Sequence, residues 1–302
     1  CASGGAAFHL AYNYIRSKKA KTVLVLGAEK MTDFAPEDAT AALAGAASGE
    51  EQEAGLTFAG LYGMLAQVYM KEYKYTERDF AYVAEKNHYH ATLNDKAQFR
   101  VKVSINDVLE SPYVAYPLKV LDSAPISDGA SGVIMTSDTS LVKKSDHTAS
   151  VLSSETATDS ISLAKRERLD VLNSTRVAAR RAFRESGLKP QDIDIAEVHD
   201  CFSIAELLAM EDIGFWKKGE GGKRIKTRST MYGRANRLTV NTSGGLKAAG
   251  HPVGATGIKQ IGELYLQITG QARGRQVKNA SLGLAHNVGG SGGTAVVTIL
   301  GN

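Results

Sequence analysis

Residues 289–300 read Gly289-Gly-Ser-Gly-Gly-Thr-Ala-Val-Val-Thr-Ile-Leu, a glycine-rich turn that runs into an apolar strand. The same organisation occurs earlier in the chain, where Ser127-Asp-Gly-Ala-Ser-Gly runs into Val133-Ile-Met-Thr. A second pattern is also repeated, once from Cys1 and once from His251. In each copy a helix start is followed by a helix, a basic turn and a strand. These two copies predict two pseudo-equivalent α/β halves.

Apolar periodicity predicts the elements of both halves. The continuous apolar run Thr22–Gly27 is typical of a strand that is buried on both faces of a parallel sheet. The helix that precedes it is expected at Ala6–Arg16. The second half is predicted to contain two helices, the first of them ended by Gly187, and two strands: Arg176–Ser186, Ile258–Gly270, Ile193–His199 and Ala280–Ala285.

The segment between these regions has a different residue pattern. Amphipathic patterns predict helices at Leu61–Tyr73 and Glu77–His90, and the alternation of apolar and polar residues that is typical of a strand is absent before Val120. We interpret the segment as an inserted, mostly helical lid or substrate-binding domain. The predicted organisation is a first half at 1–33, the insertion at 34–120, a return strand of the first half at 121–140 and a second half at 141–302.

Composition narrows the class of protein. A length of 302 residues suits two fused units or one large α/β architecture. The net charge of +4 is compatible with anionic ligands, but it lacks the dense basic face of a nucleic-acid binder. Apolar runs have strand length, so no membrane span is expected. Two cysteines cannot build a disulfide scaffold and indicate a reducing, cytoplasmic setting.

The thiol of Cys1 stands where a helix begins among glycines. The positive end of a helix dipole lowers the pKa of a thiol and raises its thiolate fraction. His251, followed by Pro252 in the first turn of a helix, occupies the pseudo-equivalent place in the other half. If the halves pack about a pseudo-two-fold axis, the thiol and the imidazole converge, which is the pairing that activates a nucleophile.

Two further clusters follow predicted strands. His199-Asp-Cys-Phe offers an imidazole as an oxyanion donor and the Cys201 thiol as a proton carrier. His286-Asn-Val-Gly-Gly places polar groups beside the glycine-rich turn. A metal site is the rival interpretation, but two cysteines and dispersed histidines disfavour it, and we expect none. The glycines of residues 289–293 precede a strand, so they do not form a dinucleotide fingerprint.

Together these motifs resemble the thiolase family, over essentially the whole chain. The resemblance is carried by Cys1-Ala-Ser-Gly-Gly-Ala, His199-Asp-Cys-Phe, Asn241-Thr-Ser-Gly-Gly, Gly250-His-Pro-Val-Gly-Ala-Thr-Gly and His286-Asn-Val-Gly-Gly, in that order. It is greatest to the branch of the sterol-carrier-protein-type thiolases and archaeal acetoacetyl-CoA thiolases. The resemblance implies the thiolase fold, with two layered α/β halves and an inserted loop domain that binds coenzyme A.

The resemblance also implies roles for single residues. Cys1 would take the acyl group, and His251 would activate it and contribute to an oxyanion hole. His199 stands where many thiolases carry an asparagine that holds an oxyanion-hole water. Many thiolases have a second reactive cysteine in a Cys-x-Gly near the C-terminus, where this chain has His286-Asn-Val-Gly, and Cys201 would supply the missing acid/base. An unperturbed thiol has a pKa of about 8.5, and surroundings that lower it modestly would suit this role.

The remaining polar groups of these motifs are expected to form an oxyanion or substrate pocket: His286, Asn287, Gly290, Asn241 and Ser243. The implied reaction exchanges acyl-CoA plus acetyl-CoA with 3-oxoacyl-CoA plus CoA, with coenzyme A as substrate or product and no permanently bound cofactor. A homodimer or dimer of dimers in lipid metabolism is expected, and a zinc-ribbon/OB-fold partner protein is plausible. The alternatives are a decarboxylating ketoacyl synthase and a non-catalytic scaffold or lipid-binding subunit.

One departure concerns the beginning of the sequence. In the family the nucleophile follows a substantial stretch that carries the first strands of the first half, whereas this sequence starts at Cys1. We expect that the sequence is truncated rather than that the missing part is a separate chain, because a sheet without those strands would expose a large apolar face.

Overall fold

The computed structural model describes residues 1–234 and 237–302. Its described helices are α1 Ser3–Arg16, α2 Pro36–Ala44, α3 Gly49–Glu53, α4 Phe58–Tyr73, α5 Glu77–Ala91, α6 Ile105–Glu110, α7 Thr139–Lys143, α8 Asn173–Ser186, α9 Ser203–Asp212, α10 Gly221–Lys226, α11 Gly245–Ala249 and α12 Thr256–Ile268. The strands are β1 Thr22–Glu29, β2 Tyr113–Ala115, β3 Leu118–Lys119, β4 Gly129–Thr136, β5 Ser150–Thr158, β6 Ile195–Glu197, β7 Thr239–Val240, β8 Leu282–Gly289 and β9 Thr294–Gly301.

A mixed sheet forms the centre of the second half, with the strand order β5-β9-β8-β6-β7. The pairs β5–β9 and β8–β9 are antiparallel, whereas β8–β6 and β6–β7 are parallel. β6 and β8 run in the same direction side by side, and Glu197 at the end of β6 is aligned with Ala285. The segment that follows β6 therefore lies beside His286 and Asn287 in the later part of β8.

The first half contributes the antiparallel pair β1–β4, which aligns Thr22 with Thr136 and Glu29 with Gly129. The apolar run of β1 was expected to be buried on both faces of a parallel sheet, and that expectation is wrong for this structure. Helices α1 and α12 pack on one face, where Val25 is buried. Leu24 and Leu26 are on the other face and are 58% and 67% exposed, because side chains alternate along a strand.

The predicted convergence of the two helix starts is confirmed. Helices α1 and α12 pack against each other, and each leads to a strand with an antiparallel neighbour, β1 with β4 and β8 with β9. Glycines permit this contact: a Cβ atom on Gly4 would lie 2.8 Å from the carbonyl oxygen of Gly254. The chain therefore has the two related α/β halves that its repeated pattern predicts.

The insertion is mostly helical, as predicted, and packs on the second half. Its helices α4 and α5 contact α9, and the rings of Phe58, Tyr62 and Phe202 form an aromatic cluster at this boundary. A short hairpin, β2–β3, precedes Val120, where the chain turns through a 3₁₀ helix instead of beginning a strand. The domain boundaries drawn from the sequence remain predictions. Among the described helices, none combines the length and the apolar character needed to cross a membrane.

Candidate active site

Cys1 lies immediately before α1 and is half-buried. The first turn of α1 carries no acidic residue, so no carboxylate of that turn offsets the positive end of the helix dipole beside the thiol. The glycine-rich turn after β8 packs here, because a Cβ atom on Gly289 would lie 3.1 Å from that of Ala2. The local sequence thus places the thiol at the N-terminal end of α1, beside the glycine-rich turn.

Two histidines from the other half meet this thiol. The side-chain donor atoms of Cys1, His199 and His251 all lie within 4.8 Å of one another. The imidazole rings of His199 and His251 meet edge to face, with their centroids 5.1 Å apart and an interplanar angle of 84°. We call these three residues the catalytic trio. The structure therefore brings together three residues that the sequence analysis selected from distant motifs.

The orientation of His251 follows from Thr256 in the first turn of α12. The Thr256 hydroxyl donates to the carbonyl oxygen of Pro252 at 2.9 Å, so its oxygen accepts from His251 Nδ1, 2.7 Å away. The proton of the neutral ring is thus on Nδ1, and Nε2, which has no partner among the described protein groups, keeps its lone pair. Burial lowers the pKa of His251 to about 3, with a further contribution from Lys259. At neutral pH the ring is therefore an uncharged base.

His199 follows β6, and residues of β8 hold it from both sides. Its backbone N–H donates to His286 Nδ1 at 3.5 Å, and its ring Nδ1 lies 3.4 Å from Asn287 Nδ2. The other ring nitrogen of His286 lies 2.9 Å from the Thr175 hydroxyl. Both nitrogens of the predicted pocket residue His286 are therefore occupied by protein partners. In this structure His286 supports His199.

Cys201 is not part of the catalytic trio. Its side chain is buried beside Tyr62, whose hydroxyl donates to the carbonyl oxygen of Gly290 at 3.2 Å. Burial raises the pKa of Cys201 to about 12, although the neighbouring Tyr62 hydroxyl acts in the opposite direction. The surroundings therefore raise this pKa and do not lower it, since burial in an apolar surrounding disfavours the thiolate. At neutral pH Cys201 is a protonated thiol.

In two of the predicted pocket residues, the polar side-chain atoms form hydrogen bonds with other buried protein groups. Asn241 accepts from the backbone N–H of Val198 and donates to Glu206, each over 2.8 Å. The Ser243 hydroxyl donates to Glu197 at 2.6 Å. These contacts favour a structural role for both side chains over the predicted contact with substrate. Their sequence context, a loop rich in glycine and polar residues, does not distinguish the two roles.

A buried ionic network that includes Asp200, the residue after His199, was not predicted from the sequence. Lys86 forms an ion pair with Glu206, and both side chains are almost completely excluded from solvent. Asn87 donates to Asp200 at 2.7 Å and to Glu206 at 2.9 Å. The Asp200 carboxylate also accepts from the backbone N–H of Leu246 at 2.7 Å, at the start of α11. The available signal was the polar stretch Lys86-Asn-His within the predicted helix Glu77–His90.

Cysteine and histidine are also ligands for zinc, so the catalytic trio has the donor types of a transition-metal site. The trio supplies three donors, and the half-buried Cys1 leaves one side open. The sequence analysis expected no metal, and that expectation remains a prediction. The arrangement equally has the nucleophile–base pairing of covalent catalysis.

Comparison with known proteins identifies the family. The model of the thiolase N-terminal domain matches residues 1–139, and that of the thiolase C-terminal domain-like family matches residues 155–302. The chain is 44% identical over 300 residues to an acetyl-CoA acetyltransferase of Methanothermobacter thermautotrophicus, spanning 99% of this chain and 77% of that protein. It is 34% identical to human sterol carrier protein 2, over 99% of this chain and 56% of that protein.

Solved structures agree on the fold. An assembly described as the Ltp2-ChsH2(DUF35) aldolase has a TM-score of 0.85 and 26% identity, over 99% of this chain and 78% of its own. The dimeric peroxisomal thiolase of Saccharomyces cerevisiae has a TM-score of 0.68 and 17% identity, over 100% of this chain and 74% of its own. With both of its halves matched by the family models and a relative above 40% identity, this chain belongs to the thiolase family of acyltransferases.

Proposed function

We propose that this chain exchanges acyl-CoA plus acetyl-CoA with 3-oxoacyl-CoA plus CoA, through an acyl thioester on Cys1. The observation that carries the proposal is the catalytic trio, in which one thiol and two imidazoles lie within 4.8 Å of one another. The name of the Methanothermobacter relative supports acetyl transfer between coenzyme A thioesters. The same trio is the arrangement that covalent catalysis at a carbonyl group needs.

The first step forms the acyl-enzyme. His251 Nε2 takes the proton of the Cys1 thiol, and the sulfur attacks the ketone carbon of the 3-oxoacyl thioester. The bond between C2 and C3 then breaks, leaving the acyl group on sulfur and the carbanion of acetyl-CoA. Because burial lowers the pKa of His251 to about 3, the ring is uncharged at neutral pH and has a lone pair to accept the proton.

Negative charge on the carbonyl oxygen needs a hydrogen-bond donor beside Cys1. His199 is the donor that we propose, because its ring lies beside the thiol and its Nε2 is buried with no partner among the described protein groups. A donor that is already oriented in a buried site costs no reorganisation when the charge develops.

The acetyl-CoA carbanion must receive a proton, and Cys201 is the proposed source. At neutral pH its thiol is protonated, because burial raises its pKa to about 12, so it suits donation better than abstraction. CoA then displaces the acyl group from Cys1, and the proton of its thiol replaces the one that the carbanion received. In the condensation direction the same sulfur would have to act as the base.

Coenzyme A is proposed to bind along the insertion. A groove between the insertion and the second half is lined by Tyr89, Lys102 and Arg234, and by Arg228, which is paired with Glu85. The Lys102 ammonium lies 5.5 Å from the centre of the Tyr89 ring. Cationic side chains beside an aromatic ring suit a phosphorylated nucleotide.

Self-association and a partner protein are also proposals. Support for a dimer comes from the yeast structural neighbour, which is described as dimeric. Support for a partner protein, which the sequence analysis expected to be of the zinc-ribbon/OB-fold type, comes from the aldolase assembly with its DUF35 component. A cytoplasmic location rests on two free cysteines and the reducing compartment that they indicate.

Retro-aldol cleavage is a second candidate, because the aldolase assembly is similar to this chain over 99% of its length. That reaction removes a hydroxyl proton from a 3-hydroxyacyl thioester and needs neither a nucleophilic thiol nor free CoA. The presence of Cys1 beside an uncharged imidazole base favours acyl transfer. The same pairing disfavours the non-catalytic scaffold.

The test follows the loss of acetoacetyl-CoA in the presence of CoA, using the full-length protein. We expect turnover that depends on CoA, that is abolished by Cys1→Ser, and that falls by about 10²–10⁴-fold with His251→Ala. The matched control is His147→Ala, an exposed histidine far from the trio in sequence, which should leave the rate unchanged. Cleavage of a 3-hydroxyacyl thioester without CoA, surviving in Cys1→Ser, would establish the aldolase reading instead.

A further inference from the structure

The side chain of Asn287 lies between the two helix starts and the catalytic trio. It is almost completely buried. Its Oδ1 is 3.1 Å from the backbone nitrogen of Gly5 in the first turn of α1. Its Nδ2 is 3.4 Å from Nδ1 of His199. One amide thus connects the helix that carries Cys1 with the imidazole opposite the thiol.

The polarity of these contacts follows from the available donors and acceptors. A backbone N–H can only donate, so the atom of Asn287 that faces Gly5 must be the carbonyl oxygen. The NH₂ group then faces His199 and can only donate. His199 Nδ1 must therefore be the acceptor, and in the neutral ring the proton is on Nε2.

His251 has the opposite arrangement. The Thr256 oxygen accepts from its Nδ1–H, so the lone pair of the neutral ring is on Nε2. The two imidazoles thus offer the thiol and its substrate one acceptor and one donor. Two rings of the same kind differ in role because their outer nitrogens have different partners.

We propose that Asn287 is a positioning residue that fixes His199 as the Nε2–H tautomer and so makes it the oxyanion donor of the site. The inference deepens the proposed acyl transfer and rests on it for its kinetic consequence. It assigns to Asn287 a task apart from the predicted contact with substrate, because both ends of its amide are used to orient other groups.

The tautomer of His199 matters because the ring is neutral at neutral pH. Burial, together with the neighbouring His251 and His286, lowers the pKa of His199 well below its ordinary value. The ring therefore holds one proton at neutral pH, and the choice of nitrogen decides whether Nε2 can donate. A protonated Nε2 also has no lone pair for a metal ion, which counts against ligation by His199.

Asn287→Asp tests the proposal with an almost isosteric change. The carboxylate still accepts from the N–H of Gly5, but it also accepts from His199, which moves the proton of the neutral ring to Nδ1. We expect kcat for acetoacetyl-CoA cleavage to fall by about 10²–10³-fold at pH 8, with little change in KM, as for the loss of one oxyanion donor.

The pH profile separates this effect from a structural one. The new carboxylate raises the pKa of His199, because it stabilises the imidazolium. As the pH falls through that raised pKa, a second proton returns to Nε2 and restores the donor. The activity of Asn287→Asp relative to wild type should therefore rise towards acidic pH. An equal loss at every pH, or a kcat at pH 8 within about threefold of wild type, would overturn the proposal.

Asn13→Asp is the matched control, because Asn13 Nδ2 lies 3.0 Å from His9 Nε2 in an exposed Asn–His pair on α1. The same substitution beside this histidine should leave kcat and its pH profile unchanged. A shift equal to that of Asn287→Asp would assign the effect to added charge and contradict the role of Asn287.

Neutron diffraction from crystals of the wild-type full-length protein provides a second measurement, which needs no variant to fold. We expect deuterium on Nε2 of His199 and on Nδ1 of His251. Deuterium on Nδ1 of His199 would refute the inference. If the tautomers are as expected and no acyl adduct forms on Cys1, the proposed reaction fails while the tautomer assignment stands. If the adduct forms and His199 has the opposite tautomer, the role proposed for Asn287 fails while the proposed reaction stands.

Discussion

At the scale of single residues, Thr256 decides whether His251 can act as a base. Its oxygen accepts the Nδ1–H of His251 at 2.7 Å in a fully enclosed position. Thr256→Val would leave this buried donor without an acceptor, which costs about 1–3 kcal/mol and releases the ring from its tautomer. We expect the acylation of Cys1 to slow by about tenfold or more in single-turnover measurements.

Thr256→Ser keeps the hydroxyl and serves as the control for this change. It should acylate at a rate close to that of wild type. Equal rates for the valine and serine variants would show that the hydroxyl does not orient His251. The alkylation rate of Cys1 by iodoacetamide gives an independent measure of its thiolate fraction in both variants.

At this scale the sequence predicts the site residues whose chemistry depends on residue type and on a position near the start of a helix. Cys1 and His251 precede pseudo-equivalent helices, so their convergence could be predicted from the repeat alone. Asn241 and Ser243 belong to an equally distinctive motif, but their partners Glu206 and Glu197 are distant or featureless in the sequence. A sequence does not display which buried carboxylate a polar side chain meets, and so their structural contacts were not predicted.

At the scale of elements, the crossing of α1 and α12 sets the distance between Cys1 and His251. A Cβ atom on Gly257 would overlap the backbone nitrogen of Gly5 and the Oδ1 of Asn287, the two atoms joined by a hydrogen bond beneath it. Backbone cannot yield as a flexible side chain does. We expect Gly257→Ala to separate the helices and to lower both the unfolding free energy and kcat.

Gly262→Ala is the matched control on the same helix. A Cβ atom there has the Ser131 hydroxyl, at 4.0 Å, as its nearest neighbour. Alanine is the better helix former by about 1 kcal/mol, so this variant should be unchanged or slightly more stable in denaturant titrations, with normal activity. Similar losses in both variants would contradict the close-crossing argument.

Sequence patterns are a poor guide to elements whose apolar and polar residues do not match a buried face and an exposed face. Every residue of α9 is buried, so the helix lacks the polar face by which amphipathic periodicity identifies a helix. Strand β1 has the reverse problem, since its continuous apolar run predicted burial on both faces, whereas alternate residues are exposed here. Periodicity shows how apolar and polar residues are ordered along a segment. The elements that pack against the segment decide which of its residues are buried.

At the scale of the whole molecule, buried charges join the insertion to the second half. Lys86 on α5 forms its ion pair with Glu206 on α9, and Asn87 and Asn241 bind the same carboxylate. Lys86→Met would leave Glu206 buried without its cation, which costs about 3–5 kcal/mol. We expect the denaturation midpoint of the full-length protein to fall accordingly.

Arg224→Gln is the control for this prediction, because it removes the exposed partner of Glu220 on α10 and should cost about 1 kcal/mol or less. An unchanged midpoint for Lys86→Met would mean that the pair does not hold the insertion in place. The joining residues are 120 positions apart in the chain, so their pairing was beyond sequence patterns, although the helical insertion itself was predicted.

The central claim is that Cys1 carries the acyl group, and trapping the intermediate tests it most directly. The full-length protein is mixed with acetoacetyl-CoA without free CoA, quenched in acid, digested and analysed by mass spectrometry. We expect one acetyl group on the peptide that contains Cys1, removed by added CoA and absent in Cys1→Ser. An acetyl group on Cys201 with none on Cys1, or no adduct under conditions of normal turnover, would show that Cys1 is not the acyl carrier.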